Sequence, residues 1–263
     1  MNSHRHQIIS DFLEYIKTVR RYSSHTIRSY EHDLDQYYSF CRDFDPTREF
    51  KDLDQTAIQC YLQQLSRKGL SAKTLARRLA SVKSLYKYML IKNLVKVNIT
   101  QSVKTPKIKQ ELPHFLSLKE AEKILRIPVG NDEKALRERL ILELFYATGI
   151  RISELIAIQL NDIRMEEGII HIIGKGSKER IVMVGTEAMD TLRNHIKILN
   201  ENGLADPDNY LFPALRKGKN GKRSHIAQRT VFNIVKKYLK QVSDDEKLSP
   251  HSLRHTFATH MLN

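Results

Sequence analysis

Near the end of the chain stand His251, Arg254 and His255, in the run Pro250-His251-Ser252-Leu253-Arg254-His255. Ser249 ahead of a first-turn Pro250 predicts a helix start here, and a period of about 3.6 residues then puts His251, Arg254 and His255 on one face with Leu253 and Phe257 opposite. One face packs while the other presents a guanidinium beside an imidazole. Arg offers a planar fork of donors and an imidazole exchanges a proton near neutral pH, so the pair suits a phosphate. The same residues would also serve as a solvated charged face, and the helix alone does not separate the two uses. His251 and His255 have i,i+4 spacing, but no HExxH glutamate stands between them, which disfavours a zinc hydrolase.

Two further stretches carry chemistry. In Gly149-Ile150-Arg151-Ile152-Ser153-Glu154-Leu155, Arg151 follows an apolar helical run and a glycine, so its head is expected to be partly buried, with Glu154 at i+3 placed to fix it. Either an anion or a simple Arg–Glu pair would account for this. Lys175 lies in Gly174-Lys175-Gly176-Ser177-Lys178-Glu179-Arg180. That turn lacks the GxxxxGK order of a nucleotide P-loop and does not open into a helix. A lysine at a hairpin tip could instead reach into a DNA minor groove.

The elements that must hold these residues follow from periodicity. Ile9, Phe12, Leu13 and Ile16, then Ile27, Tyr30, Leu34, Tyr37 and Tyr38, read as two helices separated by the cap-type residues around Ser23. A third helix is expected over about 54–65. The fourth is stopped off from it by Gly69 and capped by Ser71. It carries Leu75, Leu79, Val82, Tyr86 and Met89 on one side and Lys73, Arg77, Ser81 and Ser84 on another, a buried stripe backed by a basic and hydroxyl stripe suited to DNA phosphates. The aromatic residues here keep helical spacing and read as core. Residues 100–113, with two prolines and several basic residues, read as an extended linker. Beyond it, Ser117 and Glu120 form a capping-box pattern, and helices are expected over about 118–125, 132–147, 186–199 and 226–242. Residues 168–184 switch to strand alternation and read as a β-hairpin. The basic loop 216–223 is equally suited to DNA backbone or to solvent.

Composition narrows the partner. The 263 residues hold 44 Lys+Arg against 30 Asp+Glu, a formal net charge of +14, which points to a polyanion. Residues 1–110 hold 20 basic and 10 acidic residues, and from Gln55 to Gln110 there are twelve Lys or Arg and no Asp or Glu. Ordinary solvated surfaces mix the signs. No stretch approaches the roughly 18 apolar residues of a membrane span, and the start lacks the apolar core of a signal peptide, so a cytoplasmic protein is expected. Two cysteines without a CxxC pair support neither a disulfide framework nor a cysteine zinc site.

The three boxes ATGIRISEL, GKGSKER and HSLRH, in this order and spacing, resemble the tyrosine recombinase (phage integrase) family, most closely its Xer subgroup, over nearly all the chain. The front segments YSSHTIRSYEHDL and GLSAKTLARRLASVKSLYKYM resemble that subgroup's core-binding domain, and KTPKIKQELPHFLS its linker. The resemblance implies a mainly α protein with a small β-hairpin or sheet in its second domain: a helical core-binding domain over 1–99, a linker over 100–115 and an α+β catalytic domain over 116–263.

It also implies a chemistry: a tyrosine attacks the scissile phosphate, leaving a 3′-phosphotyrosine and a free 5′-hydroxyl, with no metal and no cofactor. Arg151 and Arg254 would clamp the non-bridging oxygens, Lys175 would protonate the leaving 5′-oxygen, and His251 would assist proton movement at the nucleophile. Glu154 and His255 would support rather than react. Double-stranded DNA recombination sites and a homo- or hetero-tetramer of recombinase subunits are the implied partners. The family's nucleophilic Tyr lies some tens of residues past the HxxR box, whereas this sequence stops at Asn263. The expectation is therefore a recombinase lacking its C-terminal end and inactive as it stands; the alternative is a non-catalytic DNA-binding remnant or regulator.

Overall fold

The computed structural model describes residues 6–108, 114–174, 178–216 and 223–262. The chain divides into two compact units, Met1–Glu111 and Leu112–Asn263, each with its own hydrophobic core.

The described residues of the first unit form four α-helices, and caps written into the sequence set where three of them begin. Ser23 opens α2 (Ser24–Phe44) by accepting from the Thr26 N–H, Asp54 opens α3 (Gln55–Arg67) by accepting from Thr56 and Ala57, and Ser71 opens α4 (Ala72–Ile91) by accepting from Thr74. Ahead of them lies α1 (Gln7–Thr18), which buries Ile9, Phe12, Leu13 and Ile16. Gly69, at φ +77°, turns the chain between α3 and α4. The core is rich in tyrosine: Tyr37, Tyr61 and Tyr86 are fully buried. The Tyr37 and Tyr86 hydroxyls lie 3.2 Å apart, and Tyr86 also donates to the Phe50 carbonyl at 2.8 Å. These rings are packing, as their helical spacing predicts. Part of the stretch whose composition reads as linker is taken up by this unit. Val103 sits in its core, and Lys83 Nζ on α4 donates to the Val103 carbonyl at 2.8 Å. One apolar side chain and one satisfied carbonyl outweigh the prolines and lysines around them.

The second unit is organised on α6 (Glu133–Thr148). Leu136, Leu140, Ile141, Leu142, Leu144 and Phe145 are all buried, so this helix is apolar around most of its circumference and is enclosed. It packs against α5 (Leu118–Arg126), α8 (Thr186–Glu201), α9 (Gln228–Leu239), α10 (Pro250–Leu262) and strand β3 (Glu179–Met183). The Ser117–Glu120 capping box starts α5 as its spacing predicts. The hairpin is present as β2 (Ile169–Ile173) and β3 (Glu179–Met183), antiparallel, with Ile172 opposite Arg180. A third strand, β1 (Ile163–Arg164), adds to β2. It escaped the sequence because two residues have no period. A single helical turn, α7 (Ile152–Leu155), joins α6 towards the sheet. No helix among the described residues is long and apolar enough to cross a membrane.

Candidate functional site

Gly149 ends α6 in the left-handed conformation at φ +56°, its N–H bonding to the Phe145 carbonyl. Ile150 is buried just after it, which fixes the turn, and Arg151 follows in extended backbone as the residue that opens α7. Glu154, one helical turn on, reaches back. Its carboxylate accepts from the Arg151 backbone N–H at 2.9 Å and from Arg151 Nη1 at 2.8 Å. The Glu154 side chain is 3% exposed and that of Arg151 48%. The carboxylate is thus an internal anchor, and the guanidinium it holds still faces solvent.

Sequence reasoning missed the third member of this group. Arg180 on β3 closes on the same carboxylate with both prongs, Nη1 to Oε1 at 3.0 Å and Nη2 to Oε2 at 2.8 Å. Strand alternation carries the signal for it. Arg180 and Val182 point to the packed side of β3, while Ile181 and Met183 are exposed. A charged residue at an inward position needs an internal partner, and Glu154 supplies it. Burial by itself would raise the Glu154 carboxyl. The Arg180 hydrogen bonds, then those from Arg151, prevail and hold it at about 2.

Arg254 comes from α10. The side of that helix carrying Leu253 and Thr256 is fully buried. Thr256 Oγ1 donates to the Ser252 carbonyl at 2.8 Å and accepts from the Leu116 N–H at 2.9 Å, which fixes the helix lengthwise. Phe257 lies against Gly149 so closely that a Cβ there would stand 2.5 Å from its ring. That contact is what brings α10 to the Arg151 turn, and Arg254 Nη1 donates to the Gly149 carbonyl. Burial, and after it the neighbouring Arg151, lower the pKa of Arg254. Three guanidiniums are therefore gathered near one carboxylate, an excess of positive charge. His251, one turn earlier on α10, is exposed, as is His255. Lys175 lies outside the described residues, as does most of the basic loop 216–223.

The predicted phosphate-facing stripe of α4 is only partly on the surface. Lys73 is exposed, Arg77 is half-exposed and ion-paired to Asp33, and Ser84 is half-buried. Ser81 is a correction: it is 2% exposed, and its hydroxyl donates to the buried Asp33 at 2.9 Å. The helical period places Ser81 beside Arg77 correctly, but nothing in it shows that α2 brings a carboxylate against that face.

A model described as the phage integrase family matches residues 114–263, and one for a phage integrase N-terminal SAM-like domain matches residues 9–93. A tyrosine recombinase XerC of Thermodesulfovibrio yellowstonii is 36% identical over 258 residues, covering 97% of this chain and 82% of that protein. A tyrosine recombinase XerD of Halalkalibacterium halodurans is 32% identical, covering 97% and 83%. Among solved structures, XerH recombinase bound to a palindromic difH substrate superposes with a TM-score of 0.70 at 24% identity, covering 96% of this chain and 73% of that one. A lambda integrase dimer on a COC' core site superposes at 0.68 and 16% identity, covering 97% and 88%. The helical first unit, the second unit with its small antiparallel sheet, and an arginine turn joined to an HxxR helix all occur in one chain. It belongs to the phage integrase family, where its similarity is to the Xer tyrosine recombinases.

Proposed function

We propose that this chain is a site-specific DNA recombinase that cuts and rejoins strands through a 3′-phosphotyrosine. The observation that carries the reading is the arginine group: Arg151 and Arg254, from α7 and α10, lie beside one turn whose only carboxylate, Glu154, is already fully engaged by Arg151 and Arg180. Such a group has net charge to spend on a phosphodiester. The two guanidiniums would bind its non-bridging oxygens and stabilise the extra negative charge of the five-coordinate transition state. Lys175 is assigned as the acid that protonates the leaving 5′-oxygen, and exposed His251 as the group that moves a proton at the nucleophile. No tyrosine of this sequence is assigned as that nucleophile.

The first unit is proposed as the core-binding domain and the second as the catalytic domain. Lys73, Arg77 and Ser84 of α4 remain the proposed contacts to DNA phosphates, with Ser81 withdrawn to a supporting role. A lambda integrase tetramer has been seen on a Holliday junction, and a tetramer on two recombination sites is proposed here too.

The rejoining half of the reaction tests the phosphate site without needing the nucleophile. Duplex DNA selected by the protein from a random pool is given a nick whose 3′ end carries a 4-nitrophenyl phosphate and whose other side is a 5′-hydroxyl. Attack of that hydroxyl forms the phosphodiester and releases 4-nitrophenol. The chain is expected to accelerate the release, and Arg151→Ala or Arg254→Ala to slow it by about 100-fold or more while much of the DNA binding persists. Binding without any acceleration would sink the recombinase reading and leave a DNA-binding protein.

A further inference from the structure

Arg180 has no role in the mechanism above, yet it is the side chain most fully committed to the site's anchor. Both of its terminal nitrogens are spent on Glu154, one on each oxygen. The same two oxygens hold Arg151, Oε1 by its guanidinium and Oε2 by its backbone N–H. Arg180 therefore fixes the rotation of the carboxylate on which Arg151 depends. Its own side chain is about one-third exposed against half for Arg151, and its donors point into the protein. Its two bonds to Glu154 hold both carboxylate oxygens at once, whereas the Arg151 guanidinium holds one.

The base of the β2–β3 hairpin rests on this ion pair. At Gly174 an added Cβ would lie 3.3 Å from Glu154 Oε1 and 3.4 Å from Arg180 Nη1. The Gly174 N–H also donates to the Lys178 carbonyl at 2.7 Å, closing the hairpin there. A missing side chain thus lets the backbone that leads into residues 175–177 lie directly on the Glu154–Arg180 pair.

We propose that Arg180 is a positioning residue for strand transfer, locking Glu154 so that Arg151 is held on a rigid support. The inference rests on the recombinase reading above. A lysine in its place would keep the charge but present one point rather than a fork, so it would hold one oxygen and leave the carboxylate free to turn.

The nitrophenyl release assay on the full chain tests this, read together with DNA affinity and thermal unfolding. Arg180→Gln is expected to lower the rate at saturating DNA by about 10–100-fold, the range typical for residues that support a reacting group, with half-saturating DNA within about threefold of the parent. Arg180→Lys is expected to fall between the two. The decisive comparison is the double variant. Because Arg180 acts through Arg151, Arg151→Ala combined with Arg180→Gln should be no slower than Arg151→Ala alone. Losses that multiply, or an Arg180→Gln rate equal to the parent's, would overturn the inference. If Arg180→Gln does not fold, Arg180→Lys gives the same test with the charge kept: it should slow release in the parent but not in the Arg151→Ala background. A parent chain that releases nothing fails the recombinase reading instead, so the two failures are distinguishable.

Discussion

Glu143 on α6 and Glu154 on α7 are both carboxylates taken out of water, and their neighbours send them in opposite directions. Glu154 is held at about 2 by two guanidiniums that overcome its burial. Glu143 is pushed up to about 7, chiefly by burial and only partly relieved by Thr191 and Arg139; its Oε2 has no hydrogen-bond partner. In the unfolded chain a glutamate loses its proton near about 4.3. Between there and about pH 7 the folded form keeps a proton that the unfolded form has lost, so this group makes stability fall as pH rises through that window. Glu143→Gln removes the ionisation. It is expected to stabilise the protein by about 1–2 kcal/mol at pH 8 and to make no difference near pH 3, roughly a unit below the unfolded value, measured as the gap between the two melting curves at each pH. A gap that does not grow with pH would mean that Glu143 ionises freely in the fold.

Two element junctions carry comparable weight. In the first unit α2 and α4 are joined by Asp33, which is fully buried. It accepts from Ser81 and Arg77, and Arg78 Nε lies 4.0 Å from its other oxygen. The Arg78 side chain is only 10% exposed, so Asp33→Ala would leave it a buried charge without its counter-ion. The expected cost is about 3–5 kcal/mol, seen as early unfolding by circular dichroism; a loss below about 1 kcal/mol would place this pair with surface ion pairs. In the second unit the junction is Gly149 against Phe257. Gly149→Ala meets both a left-handed backbone and a ring 2.5 Å away. Gly203 is a control, because its φ is +67° with nothing within 4 Å. Gly203→Ala is expected to cost about 1–2 kcal/mol from the backbone alone, and Gly149→Ala clearly more. Gly149→Ala should also slow nitrophenyl release, since Arg254 bonds to the carbonyl of that residue. Equal costs at the two sites would show that Phe257 yields easily.

At the scale of the whole molecule the charge of +14 sets a binding behaviour that no single contact defines. DNA affinity should fall steeply with salt, by about three to five orders of magnitude between 50 and 200 mM if six to ten phosphates are contacted. Lys73→Ala should reduce the slope of log K against log salt by about 1, whereas Ser81→Ala should leave it unchanged, because Ser81 is inside the fold. A Lys73→Ala slope equal to the parent's would remove α4 from the interface. The sequence by itself determined whatever depends on near neighbours along the chain. Helix starts at Ser23, Asp54, Ser71 and Ser117 rest on a side chain reaching two or three residues ahead, and the Arg151–Glu154 pair spans one turn. The family followed from three such local boxes in a fixed order. Only the tertiary structure decided which distant groups share an ion pair. Arg180 reaches Glu154 across 26 positions and Ser81 reaches Asp33 across 48, and no period or spacing encodes either distance. A charged side chain on an inward face announces that it needs a partner, but the packing of other elements decides which partner it meets. For that reason the helical period puts Ser81 on an exposed stripe although it is buried, and it gives no sign of the Arg180–Glu154 pair, while the Arg151–Glu154 pair is legible in the sequence.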